Sequence, residues 1–149
     1  MTDRVIVSQC LLGVPCRYDG AALPHAEIIR AATDYCWIPV CPEILGGLST
    51  PRDPAERVGN CVMTHSGIDV TKPFMRGAEY ALRIAQLYGA RFALLKERSP
   101  SCGCHGIYNG SFTGTLTDGM GITAELLMQN GIQVFGESQL QELLRKLRQ

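Results

Sequence analysis

Short aliphatic or β-branched runs alternate along this chain with longer segments whose apolar residues recur every three or four positions. The first pattern predicts buried strands and the second amphipathic helices. Arg4-Val5-Ile6-Val7-Ser8 reads as a strand, which Gln9 leaves for a loop running to Gly20. From His25 to Tyr35 the residues Ile28, Ile29, Ala32 and Tyr35 share helical spacing, with Pro24 near the first turn. Trp37-Ile38-Pro39-Val40 predicts a second strand, whose full pairing Pro39 opposes because proline lacks the N–H a ladder needs. Residues 44–66 break the pattern with paired glycines and prolines. They predict an excursion suited to a binding loop, with a hairpin built from residues 57–63 and 68–70.

A long amphipathic helix follows, with Phe74, Ala78, Ala81, Leu82, Ala85 and Tyr88 on one stripe, Thr71 as N-cap, Pro73 in the first turn and Gly89 as its stop. Arg91 to Lys96 predicts a third strand, Thr123 to Gln129 a helix ended by Asn130-Gly131, and Ile132 to Phe135 a fourth strand. Ser138 is expected to cap a last helix with Leu140, Leu143, Leu144 and Leu147 inside. Strands alternating with helices predict a three-layer, Rossmann-like α/β fold with a mostly parallel central sheet. The 149 residues suit one domain, 1–149, without repeats or a disordered linker.

Composition narrows the partners. Fourteen Lys and Arg balance fourteen Asp and Glu, so no global field draws the chain to a nucleic-acid polymer or an anionic membrane. No apolar run has the length of a membrane span or a secretion signal, and a cytoplasmic protein is the expectation. Seven cysteines in that compartment argue for metal or thiol chemistry rather than a disulfide framework. Cys36 and Cys61 lie in apolar runs and are expected to be small buried hydrophobes.

The polar chemistry gathers after the strands. Ligands of open parallel sheets bind beyond the strands' carboxyl ends, and Cys10, Cys41 and Cys102 each fall at such a position. Three thiolates at one point suit tetrahedral zinc with an open position or an iron-sulfur cluster with one iron lacking a protein thiolate. Cys16 and Cys104 compete with them, and spacing does not choose among the five. Glu43 reads either as an acid–base group or as a carboxylate at a helix N-terminus. Ser101 reads as a hydrogen-bonding partner of a ligand or as a turn former. Arg17 and Arg52 read as anchors for an anionic or carbonyl-bearing substrate, or as surface partners of Asp19, Asp53 or Glu56. Lys96 is expected to end its strand in solvent, and His105 is a weak ligand candidate. Neither a phosphate loop nor a dinucleotide fingerprint follows a strand.

Taken together, Ser8-Gln9-Cys10-Leu11-Leu12-Gly13, Arg17-Tyr18-Asp19-Gly20, Cys41-Pro42-Glu43 with Gly46-Gly47-Leu48, Pro51-Arg52, Asp69-Val70-Thr71 and Ser99-Pro100-Ser101-Cys102-Gly103 resemble the motifs of a family of small bacterial and archaeal proteins. That family was long treated as a domain of unknown function, and the thiouracil desulfidases belong to it. The resemblance spans nearly the whole chain. It implies a 4Fe-4S cluster held by Cys10, Cys41 and Cys102, with a fourth iron open to the sulfur of a thiolated pyrimidine. It implies Glu43 as the acid–base residue and Ser101 as its assistant, and it argues against Cys16 as a ligand. The expected substrate is a thiolated nucleobase or nucleotide, whose phosphate would fall to Arg17 or Arg52. Two rivals remain: a non-catalytic metal-binding or sulfur-carrier module, and a thiol redox protein using Cys102 and Cys104. The sequence is silent on oligomeric state.

Overall fold

The computed structural model describes residues 3–148. Four parallel strands form the central sheet: β1 (Arg4–Ser8), β2 (Cys36–Val40), β5 (Phe92–Leu95) and β8 (Gln133–Gly136), in the order β2-β1-β5-β8. Two antiparallel ribbons lie outside it, β3 (Ala55–Val58) with β4 (Cys61–Thr64), and β6 (Ile107–Tyr108) with β7 (Leu116–Thr117). The helices are α1 (Ala26–Ala31), α2 (Pro42–Leu45), α3 (Thr71–Tyr88), α4 (Ile122–Gln129) and α5 (Leu140–Leu147).

Strand alternation divides the core into two faces. Val5, Val7, Phe92, Leu94 and Phe135 meet Ile28 of α1 and Leu140, Leu143 and Leu144 of α5. Ile6, Ala93, Leu95 and Val134 meet Ala85 of α3 and Ala124 and Leu127 of α4 on the other face. This is the three-layer α/β arrangement the alternation predicts. Because β2 lies to one side of β1 and β5 to the other, the strand order reverses between β1 and β5, which is where such sheets open a crevice.

Several local expectations need correction. Helix α1 stops at Ala31, leaving Ile29 and Ala32 exposed, since only one turn and a half covers the sheet; His25 is its N-cap, its Nδ1 accepting from Ile28 N. Pro39 does pair in register with Val7, because β2 is an edge strand and the missing donor falls on its unpartnered side. Thr71 is the first residue of α3 rather than its cap, and its hydroxyl accepts from Val62 N in β4 instead. Tyr88 is exposed in the last turn of α3, while Gly89 does stop the helix in a left-handed conformation, φ 64°. Ser138 belongs to a 3-10 turn before α5, and both its N–H and hydroxyl donate to Glu97. Cys36 and Cys61 are exposed rather than buried, since one opens an edge strand and the other lies beside the hairpin turn, opposite Val58.

Candidate functional site

Cys10, Cys41 and Cys102 follow β1, β2 and β5, so the parallel register delivers all three to the same edge of the sheet. Together with Cys16 they line one cavity of about 280 Å³ at the strand reversal. Cys10 sits in a 3-10 turn that Gly13 ends with φ 97°. Cys41 is the N-cap residue of α2, with Pro42 and Glu43 in that helix's first turn.

The Cys102 loop is bolted to the start of α4. Amides at Gly121, Ile122 and Thr123 donate to the carbonyls of Gly103, Pro100 and Ser101 at 2.7, 2.9 and 2.8 Å. The N–H groups that a helix leaves without intrahelical partners are thus satisfied by the cysteine loop. Ser101 is fully buried, its hydroxyl 2.8 Å from Thr123 Oγ1, and it does not line the cavity. Ser8, at the end of β1, accepts from Lys96 N at 2.9 Å and ties β1 to β5 just before both cysteine loops.

Arg52 organises the opposite wall. Its Nε donates to Glu43 Oε1 at 3.1 Å, Nη1 to Ser49 O and Thr50 Oγ1, and Nη2 to Cys16 O at 2.9 Å. Its side chain is 8% exposed and that of Glu43 18%, so this is an enclosed, charge-assisted pair and not a surface contact with Asp53 or Glu56. Burial raises the Glu43 pKa above the ordinary carboxylate value, against the lowering pull of Arg52. Burial likewise pushes the Cys102 thiol up to about 12. The Cys16 thiol is raised by contact with Cys10, and that of Cys41 by contact with Cys16. Without a metal, these groups are thiols.

Arg17 lines the cavity with its guanidinium 3.7 Å from Asp19 and 5.5 Å from the Tyr18 ring centre, so it faces both the site and solvent. Lys96 does not end in solvent. It lines the cavity with Nζ 3.0 Å from Glu137 Oε2 and 2.9 Å from Glu97 O, held there by the turn that follows β8. Cys104 packs on the other side of its loop, in the core and near Gln139, and His105 is exposed with Nε2 2.6 Å from Gln139 Oε1. Neither lines the cavity.

Glu56 of β3 lines the cavity as well, a position the sequence reading treats only as a surface partner for Arg52. Its signal was a carboxylate at an inward position of a short alternating strand.

Among the described residues no three His, Cys, Asp or Glu side chains are close enough together to hold a single metal ion. Separate thiols arranged around a cavity suit a cluster, whose irons each take one thiolate, better than a four-coordinate zinc site. No helix among the described residues is long and apolar enough to cross a membrane.

Fold and site therefore define an α/β protein with a thiol-lined cavity at the strand reversal of a parallel sheet. The sequence profile of the 2-thiouracil desulfurase family matches residues 5–139, and the chain belongs to that family. It is 41% identical over 150 residues to the uncharacterized protein YbbK of Bacillus subtilis (strain 168), covering 94% of this chain and 99% of that one. A solved structure described as the 4Fe-4S-dependent thiouracil desulfidase TudS superposes with a TM-score of 0.94 at 50% identity, covering 99% of both chains.

Proposed function

We propose that this protein is a cytoplasmic desulfidase that replaces the sulfur of a thiolated pyrimidine with oxygen, using a 4Fe-4S cluster held by Cys10, Cys41 and Cys102. The observation that carries the reading is the arrival of three strand-end cysteines at one cavity beside the Glu43–Arg52 pair. Seven unpaired cysteines suit a reducing compartment. Held by Cys10, Cys41 and Cys102, the cluster would supply thiophilic Lewis-acid chemistry toward the thiocarbonyl sulfur.

The chain's own groups do the proton chemistry. Glu43, aimed by Arg52, takes a proton from the water that adds at the thiocarbonyl carbon and passes one to the departing sulfur. Thiopyrimidine and water give oxopyrimidine and hydrogen sulfide, with no net oxidation or reduction, as befits a hydrolase-like or lyase-like cleavage of the carbon–sulfur bond. Ser101 acts through Cys102, fixing its loop against α4. Arg52 has four contacts with the protein already, so it positions Glu43, and the phosphate of a nucleotide substrate falls to Arg17 at the cavity mouth.

The test is iron, sulfide and zinc content of anaerobically reconstituted protein, followed by conversion of 2-thiouracil to uracil. About four irons and four sulfides per chain with turnover are expected. Cys102→Ala should lose the iron, whereas Glu43→Gln should keep it and lose turnover. Zinc alone, or iron without turnover, would move the protein to a metal-binding or sulfur-carrier role.

A further inference from the structure

Glu56 is a carboxylate that the proton chemistry above leaves unused. It is 8% exposed, on β3 of the excursion hairpin. One oxygen is fully engaged: Oε1 accepts from Gly110 N at 2.9 Å and from Phe112 N at 3.1 Å. Two amides from one loop converge on that atom where Gly110 holds a left-handed backbone, φ 94°, forming a small anion-binding nest. Gly110 reaches it only for lack of a side chain, since a Cβ there would lie 2.1 Å from Val58 Cγ2.

The other oxygen is different. Oε2 has no hydrogen-bond partner among the described residues. Yet no polar side-chain atom sealed in the described interior lacks a partner, so Oε2 is not sealed, and the open space that Glu56 borders is the cavity it lines. With Oε1 fixed, the carboxylate plane is fixed too. It presents one preorganised acceptor, which a ligand that displaces water from it must satisfy with a donor.

We infer that Glu56 is a specificity-determining residue whose Oε2 accepts the ring N3–H of the pyrimidine. This rests on the desulfidase reading for the identity of the ligand. The choice of N3–H follows from chemistry: in a thiopyrimidine it adjoins the thiocarbonyl carbon, and it survives when N1 carries a ribose, so one acceptor serves bases and nucleotides. A ligand methylated at N3 would both leave the acceptor unpaired and crowd it.

Two measurements on the iron-loaded protein test this. Calorimetry should show wild-type protein binding uracil at least roughly 10-fold more tightly than 3-methyluracil; equal affinities, or no binding of uracil, would overturn the inference without any variant. Kinetics should show the same preference for 2-thiouracil over 3-methyl-2-thiouracil in kcat/KM. Glu56→Gln turns a donor toward N3 while its amide oxygen can still accept from the loop. It should collapse that preference toward unity, mainly through KM, with iron content and melting temperature unchanged. A preference that Glu56→Gln leaves intact would overturn the inference while the desulfidase reading stands. Absence of turnover in iron-loaded wild-type protein would instead remove that reading, and the same calorimetric comparison on Glu56→Gln, whose preference for uracil should vanish, would still decide Glu56.

Discussion

A methyl group on Gly77 of α3 would lie 1.8 Å from the carbonyl oxygen of Pro42 in α2, far inside any real contact. The reverse holds as well: a methyl on Gly46 would lie 2.0 Å from the carbonyl oxygen of Pro73. The two glycines let α2 lie directly on α3, and α2 carries Cys41 at its cap and Glu43 in its first turn.

Gly77→Ala should therefore behave contrary to helix propensity. In an unobstructed helix the change stabilises by about 1 kcal/mol. Here α2 must move, and we expect a loss of about 1–3 kcal/mol, read as a lower urea midpoint. Iron retention should fall in parallel, because Cys41 moves with Pro42.

The buried Ser101–Thr123 pair makes a second prediction. Thr123→Val should cost about 1–3 kcal/mol by stranding the Ser101 hydroxyl in the core. Adding Ser101→Ala should cost little more, or recover part of the loss, because no orphaned polar group remains. Urea titration of the four proteins gives the cycle, and additive losses would contradict the coupling.

Arg52→Lys keeps the charge but loses the planar fork that spans Glu43, Thr50 and the Cys16 carbonyl. With Glu43 no longer aimed, kcat for thiouracil should fall roughly 10–100-fold while iron content stays at the wild-type level. A drop in iron instead would show that Arg52 serves the cysteine loops before it serves Glu43.

The pH dependence of stability should carry the mark of Glu97. Burial pushes its carboxyl up, but the hydroxyl and amide of Ser138, aided by Lys96, together hold it below the ordinary value of 4.5. A depressed native pKa means that the stabilisation is complete above the unfolded value and is lost as pH falls through the native one. Against Glu97→Gln, the wild type should hold a constant advantage from about pH 7 to about pH 5 and lose it toward about pH 3. Urea midpoints across that range are the check, and an advantage that persists in acid would refute it.

The sheet was legible because its strands are nearly pure apolar runs, and Cys10, Cys41 and Cys102 were legible as its strand ends. What periodicity could not supply was side-chain direction across long sequence distances. Lys96 looks like a solvated strand terminus until the turn after β8 brings Glu137 to it. Arg52 offers Asp53 and Glu56 as near neighbours but pairs with Glu43, because α2 folds back toward its loop. Ser101 looks like a turn residue, and only the packing of α4 shows it as a buried strut. Helix caps failed at Thr71 and Ser138 for one reason: each side chain is recruited by another segment, by Val62 in one case and Glu97 in the other.

The ribbon of β3 and β4 is hydrogen-bonded to no strand of the central sheet, yet it contributes Glu56 to the cavity. Cys10, Cys41 and Cys102 belong to the edge of the central α/β sheet, whereas Glu56 belongs to an appended ribbon. An engineer could exchange that ribbon and its Gly110–Phe112 strap as one cassette, redirecting the protein to differently alkylated heterocycles while leaving the strand ends untouched.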